Sequence, residues 1–288
     1  TEVARQNATA YAKDRLQSRA LSGSKHKDKE ADPIIVHPDV RKMLLTARAY
    51  AEGARALILH TVLLLDQELA TDDPDHKREC ADEVALLTPV LKAFFTDNGW
   101  IATSHCMQVF GGHGFIREWG MEQFVRDARI NMIYEGTNTI QSLDLLGRKV
   151  LADNGKKLKA FGKRIAEFIE EEGVHEQMQE FVNPLADLGD KVTKLTTELG
   201  MKAFANPDEV GAAAVDYLRV VGHLCFAYLF ARMAKIALAK QGSGDPFYTA
   251  KLATARFYFA KLLPETAALI RSARAGVAPL MAMDEALF

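Results

Sequence analysis

The stretch from Gln108 to Gln141, QVFGGHGFIREWGMEQFVRDARINMIYEGTNTIQ, holds the residues of this chain best suited to chemistry. It contains a glycine-rich turn at Gly111, Gly112 and Gly114, an arginine-rich segment, and a carboxylate, Glu135, set between an aromatic and a glycine in Ile133-Tyr134-Glu135-Gly136-Thr137. An acid in an apolar stretch is a place where burial raises a carboxyl pKa and makes a base that works near neutral pH. The same residues also have a plainer reading. Glycines turn a chain without strain, and G-G-x-G is not the dinucleotide fingerprint G-x-G-x-x-G. Glu135 is equally placed to be an acid at the start of a helix over Thr139 to Lys149, with Asn138 and Gln141 at capping-box spacing. A helix N-terminus lowers a carboxyl pKa while burial raises it, so on the residues alone both readings of Glu135 stand.

Two spaced motifs in order are more specific than either alone. Q-V-F-G-G-H-G-F followed by R-D-A-R-I-N-M-I-Y-E-G-T-N-T-I-Q resembles the C-terminal signature of the flavin-dependent acyl-CoA dehydrogenases. Near the start, Tyr11-Ala12-Lys13-Asp14-Arg15-Leu16-Gln17 is similar to the Tyr-Ala-x-x-Arg-x-Gln segment of the same family. The resemblance implies α,β-dehydrogenation of an acyl-CoA thioester to the enoyl-CoA. That reaction needs a base for the α proton and, because no side chain accepts a hydride, an organic acceptor, which in this family is FAD. Glu135 would be the base, shielded from water so that its pKa stays high, and Gly136 would let the substrate approach the backbone. Arg15 would pair with the FAD pyrophosphate, with Gln17 near it. Gln108, Gly111 and Gly112 would contact the ADP part, and Thr137 and Thr139 would touch the FAD after the base. In the family several of these contacts reach the flavin of a neighbouring subunit. The resemblance therefore also implies a homo-oligomer, dimer or tetramer, that shares its FAD sites, with an electron-transfer flavoprotein as acceptor.

The sequence departs from the family pattern at Ser18, where many members carry a phenylalanine, at Pro38 after His37, where others have a glutamine, and at Thr139, another common glutamine. These departures resemble the subgroup with a helical C-terminal extension, which includes long-chain enzymes and the 3-methylmercaptopropionyl-CoA dehydrogenases. Arg126, Asp127 and Arg129, inside the matched segment, are expected to form structural ion pairs. Family members also carry an N-terminal helical domain and a middle β domain, whereas no strand-rich segment is evident here. The start, Thr1-Glu2-Val3-Ala4-Arg5, reads as cut from a longer chain, and this C-terminal portion is expected to fold but not to hold FAD tightly or turn over substrate by itself. An acyl-CoA oxidase, in which oxygen reoxidises the flavin, and a non-catalytic helical scaffold are the competing readings.

The elements that must position these residues read as all-α. Residues 1 to 21 are rich in helix formers, and a charged connection with Pro33 and Pro38 precedes a long helical run from about Asp39. A polar turn at 71 to 77 leads into a second run from Lys77 to Val109, with Pro89 as a kink or first-turn position and Asn98-Gly99 as a local disturbance. Past a linker at Asp153-Asn154-Gly155, apolar stripes run through Leu158, Phe161, Ile165 and Phe168, through Leu185, Leu188, Val192, Leu195 and Leu199, and through Leu218, Val221, Cys225, Leu229 and Ile236. The last helical stretch spans about Phe247 to Ala275. The expected organisation is an up-and-down helical bundle over 1–151 and a second helical bundle over 152–288.

Composition narrows the function. Hydrophobic residues make up 48% and charged residues 26% of the 288, as in a globular protein, and the net charge of -2 argues against nucleic-acid binding. Cys80, Cys106 and Cys225 have neither disulfide nor zinc spacing and fit a reducing compartment, so a cytoplasmic location is expected. His105 beside Cys106 points a different way on a helix, which makes a catalytic dyad a poor reading. No run of about 18 uncharged apolar residues is evident, and no membrane contact is expected.

Overall fold

The computed structural model describes residues 1–288 and contains helices and no β-strand; its nearest approach to a sheet is one isolated antiparallel bridge, Leu16 to Pro33. The all-α expectation holds. Helix α1 spans Glu2–Asp14 and buries Ala4, Ala8 and Ala12, one residue per turn, with Glu2 in its first turn and Lys13 in its last, as the helix dipole favours. It stops at Asp14 and not near residue 21. Beyond Arg15 the chain is extended, because Gln17 N–H donates to the Asp32 carbonyl (3.0 Å) and Asp32 N–H to the Ser18 carbonyl (2.9 Å), with Ser18 at φ 62°.

Helix α2 (Pro38–Ala70) and helix α3 (Pro74–Val109) each open on a proline, at the position where a missing N–H costs no hydrogen bond. The turn between them is shorter than expected, because Asp73 Oδ1 accepts from Asp75 N–H (3.0 Å) and starts α3 at Pro74. Helix α3 continues through Pro89 and through Asn98-Gly99, so Pro89 is not a first-turn position and neither site ends the helix.

The chain packs as two compact units: residues 1–52 with 95–134, and residues 53–94 with 135–288. The first contains α1, α4 (Gly112–Phe115) and α5 (Met121–Ile130), together with the first part of α2 and the last part of α3. Its buried side chains include Leu44, Tyr50, Ala102, Cys106 and Phe110. The second contains α6 (Asn138–Leu143), which continues as a π-helix over Asp144–Leu151, then α7 (Lys156–Glu172), α8 (Gln179–Ala205), α9 (Asp208–Ala239), α10 (Pro246–Phe257) and α11 (Glu265–Ala275).

Helix α9 is the core of the second unit and packs against α6, α8, α10 and α11. It is buried almost all round, which is why its stretch from Leu218 to Ala231 reads as nearly continuous apolar sequence. By length and mean hydropathy (1.4) it would suffice to cross a membrane, but 78% of that apolar window is buried by its neighbours, as for a core helix. The stripes expected on α7 and α8 are buried throughout, whereas Ile236 at the end of the third is 57% exposed. Three cations of this unit are paired: Arg256 with Glu180 (2.8 Å), Arg274 with Glu198 (2.6 Å) and Lys235 with Glu171 (3.0 Å).

Two phenylalanines are seated on glycines. A Cβ at Gly222 of α9 would lie 2.5 Å from the Phe94 ring, and one at Gly53 of α2 would lie 2.5 Å from the Phe226 ring. The two rings meet edge to face at 5.0 Å. Gly222→Ala is therefore expected to destabilise the protein by about 1–3 kcal/mol, as overpacked cores do. Phe94→Leu in the same chain should recover part of that loss, so denaturation midpoints of the two single variants and the double should be non-additive.

A second tie joins α2, α3 and α7. Glu83, 8% exposed, accepts from His60 Nε2 (2.7 Å) and pairs with Arg164 (2.9 Å). Burial pushes the Glu83 carboxyl up, but the His60 hydrogen bond and the Arg164 charge outweigh it and hold the group below its ordinary value. A carboxyl depressed in the folded state adds stability above its unfolded pKa, and that stability is lost as pH falls through the folded value. Urea unfolding between about pH 7 and pH 3.5 should show wild type losing more stability on acidification than Glu83→Gln, with the difference developing below about pH 4.5.

Candidate functional site

Five of the residues singled out by sequence meet in one cleft of about 620 Å³ in the first unit: Arg15, Gln17, Gln108, Gly111 and Gly112. Its walls are the extended segment after α1, the start of α2 and the turn at the end of α3. The turn is fixed by aromatics. The Tyr11 ring stacks on Phe110 with centroids 4.1 Å apart, and its hydroxyl hydrogen-bonds to His113 Nδ1 (2.9 Å), which in turn stacks on Trp119 (5.0 Å).

The three glycines separate by role. Gly111 has φ 59° and ψ -140°, a conformation open to glycine and strained for other residues, and a Cβ at Gly111 or Gly112 would meet nothing within 4 Å. Their backbone is thus bare toward the cleft. A Cβ at Gly114 would lie 2.2 Å from the Met107 carbonyl oxygen, so this glycine serves packing. The Arg15 guanidinium is exposed and makes no hydrogen bond or ion pair within the chain, while Gln17 is held at both backbone atoms, its N–H by Asp32 and its carbonyl by His37 Nε2 (3.1 Å). An unpaired guanidinium beside bare glycine backbone and two glutamine amides is a donor set for a diphosphate and its nucleoside. Sequence reading missed Tyr11 and His37 as contributors, although Tyr11 opens the very motif that flagged Arg15.

Glu135, Gly136, Thr137 and Thr139 form a separate group in the second unit. Glu135 and Gly136 both have positive φ, 56° and 78°, which turns the chain sharply ahead of α6. The helix cap is Thr137, whose Oγ1 accepts from Ile140 N–H (3.4 Å), and not Asn138; Glu135 lies two residues before that cap, outside the first helical turn. Asn138 has other work, accepting from Lys92 Nζ (2.7 Å) and donating Nδ2–H to the Ala93 carbonyl (3.3 Å) of α3. Gln141 Nε2 donates to the Glu135 carbonyl (3.3 Å). The turn is therefore anchored from beneath while the Glu135 side chain itself is exposed. This corrects the expectation of a shielded carboxylate: Ile133 to Thr137 form a surface turn, and the anchoring contacts are to its backbone and to Asn138.

Two further expectations change. Arg126, Asp127 and Arg129 are exposed on α5 and form no ion pairs with one another; Asp127 instead accepts from Gln123 Nε2 one turn earlier (2.7 Å). Cys106 is buried, which pushes its thiol up to about 11, while burial and the nearby Lys42 lower the His105 pKa, and no hydrogen bond joins the two. That pair is not an activated nucleophile.

The family model described as "Acyl-CoA dehydrogenase, C-terminal domain" matches residues 6–151, and one described as "Acetyl-CoA dehydrogenase C-terminal like" matches residues 161–284. The chain belongs to the acyl-CoA dehydrogenase family. Among curated relatives, the 3-methylmercaptopropionyl-CoA dehydrogenase of Ruegeria pomeroyi is 40% identical over 275 residues, covering 93% of this chain and 45% of the relative. The broad-specificity linear acyl-CoA dehydrogenase FadE5 of Mycobacterium tuberculosis is 32% identical, covering 98% of this chain and 48% of the relative. The chain thus spans about half the length of these acyl-CoA dehydrogenases. The fold is shared with Caenorhabditis elegans ACDH-11 in complex with C11-CoA (TM-score 0.73, 20% identity, 90% of this chain and 40% of that one). It is also shared with a Bacillus anthracis acyl-CoA dehydrogenase complexed with FAD (TM-score 0.72, 19% identity, 94% and 45%).

Within this chain of the acyl-CoA dehydrogenase family, the 6–151 match contains both the cleft residues and the Glu135 turn. The anchoring of that turn is testable. Asn138→Ala removes the bonds to Lys92 and Ala93 and should cost about 1–2 kcal/mol in chemical denaturation. It should also speed amide exchange at Gly136 and Thr137, with little change on α8 and α9.

Proposed function

We propose that this chain is the C-terminal part of an FAD-dependent acyl-CoA dehydrogenase that converts an acyl-CoA thioester to its enoyl-CoA. FAD, when bound, supplies the hydride acceptor that no side chain provides. The observation that carries this reading is the Glu135 turn in a chain of this family. A glutamate with φ 56° sits beside a glycine with φ 78°, pinned through Gln141 and Asn138 and pointing its carboxylate outward. Left-handed backbone at a non-glycine residue costs of order 1–3 kcal/mol and persists where the surroundings enforce it, as they do at functional turns.

Glu135 takes the α proton of the substrate, and Gly136, without a side chain, leaves room for the thioester against the backbone. Arg15 and Gln17 hold the FAD pyrophosphate, while Gln108 and the bare backbone at Gly111 and Gly112 take the ADP part. Thr137 and Thr139, both exposed, flank the base on the cofactor side. The shielding that Glu135 lacks in this chain would come from substrate, cofactor and the portion of the protein outside these residues. Two copies sharing their FAD sites and an electron-transfer flavoprotein as electron acceptor complete the proposal.

In the complete gene product, Glu135→Gln should keep flavin absorbance and substrate binding. Turnover and exchange of the substrate α proton with solvent should each fall by about 10²–10⁴-fold. A Gln variant that exchanges the α proton as fast as wild type overturns the assignment.

A further inference from the structure

The segment that carries Arg15 and Gln17 belongs to no helix and no sheet, so something else must hold it. Its backbone is laced to residues 32–34: Ile34 N–H donates to the Arg15 carbonyl (2.9 Å), Gln17 N–H to the Asp32 carbonyl (3.0 Å) and Asp32 N–H to the Ser18 carbonyl (2.9 Å). Between the two halves of this lacing runs a polar loop, Arg19 to Ala31, in which Ala20 is the one buried side chain. Such a loop buries too little apolar surface to be fixed by it. Two side chains do so instead.

Asp32 is fully buried and gathers the N–H groups of the loop. Its Oδ2 accepts from Ala20 N–H (3.0 Å), and its Oδ1 accepts from Lys25 N–H (3.0 Å) and His26 N–H (2.7 Å) and meets Arg19 Nη1 at 3.5 Å. Arg19 gathers the carbonyls: those of His26 (2.9 Å), Lys29 (2.5 Å) and Glu30 (2.9 Å), together with Ser24 Oγ (2.9 Å). Burial by itself would raise the Asp32 carboxyl, but the N–H groups of Ala20, His26 and Lys25 and the Arg19 charge bring it down to about 2, so the carboxylate is ionised at neutral pH. Neither residue lines the cleft.

We propose that Asp32 and Arg19 are positioning residues for the nucleotide cleft, setting the affinity for FAD through Arg15 and Gln17 without touching the ligand. The proposal rests on the reading of that cleft as the FAD diphosphate site. An asparagine at position 32 keeps the shape but turns an NH₂ group toward a cluster of N–H donors, so Asp32→Asn releases the loop and with it the lacing at Arg15 and Gln17.

The test is a thermodynamic cycle in the complete gene product, with FAD itself as the probe and fluorescence quenching as the readout. Asp32→Asn should weaken FAD binding by about ten-fold, inside the range for residues coupled through one hydrogen-bond network. It should also increase amide exchange at Ala20, Lys25 and His26 and leave kcat at saturating FAD unchanged. Placed on an Arg15→Ala/Gln17→Ala background, the same substitution should add less than about two-fold, because its effect passes through those side chains. Full additivity on that background, or unchanged FAD affinity in Asp32→Asn, overturns the proposal. If Asp32→Asn does not fold, Arg19→Gln carries the same cycle and the same criteria. Unchanged FAD affinity in Arg15→Ala/Gln17→Ala itself would instead overturn the reading of the cleft, which separates the two failures.

Discussion

The seat of the Phe94 ring on Gly222 is the contact on which the second unit depends. With no side chain at Gly222, α3 comes close enough to α9 for the ring to rest against its backbone, and Phe226 repeats the arrangement against Gly53 of α2. Because α9 is also the surface on which α8, α10 and α11 pack, the position of α3 is set relative to the whole unit. Lys92 and Ala93, immediately before Phe94, are the groups that hold Asn138, and Asn138 opens the helix that follows the Glu135 turn. A run of short-range contacts therefore leads from the most deeply buried helix to an exposed carboxylate, and the rigidity of the first is passed to the second.

The cleft of the first unit is held by a different kind of force. Around Arg15 and Gln17 order comes from satisfying backbone groups: N–H groups converge on Asp32 and carbonyls on Arg19, while Tyr11 and Phe110 fix the opposite wall. Charge-assisted hydrogen bonds of this sort are directional, which suits a segment that must present a guanidinium in one place. The free Arg15 guanidinium and the fully committed Arg19 guanidinium stand a few residues apart, and they differ in their partners: Arg19 is spent on the loop, Arg15 faces the cleft.

What the sequence revealed follows from the range of the forces involved. The stripes on α7 and α8 repeat at helical spacing, so burial of Phe161, Ile165, Leu188 and Leu195 could be read directly, as could the motifs around Arg15, Gly111 and Glu135. The end of α1 could not. Residues 15 to 21 have good helix propensity, and what pulls them out of the helix is a carboxylate more than ten residues later, a tertiary effect invisible to local pattern. Pro89 did not mark a first turn, since α3 begins at Pro74 and continues through it. The spacing of Asn138 and Gln141 suggested a capping box, yet Thr137 took the cap and released Asn138 to bind α3.

Glu135 is where local rules and geometry disagree most, and that disagreement carries information. An acid recruited to stabilise the start of a helix belongs in the first turn, where backbone dihedrals are helical and nothing is strained. Glu135 lies ahead of the cap with φ 56°, a region where asparagine or glycine is at ease and a glutamate is not. Its carboxylate makes no hydrogen bond in the chain, whereas its carbonyl is held by Gln141, so the contacts serve the placement of the residue and leave the acid itself free. Its side chain contributes nothing to the turn and sits at a position where it costs energy, which is the opposite of what a helix-stabilising acid would show.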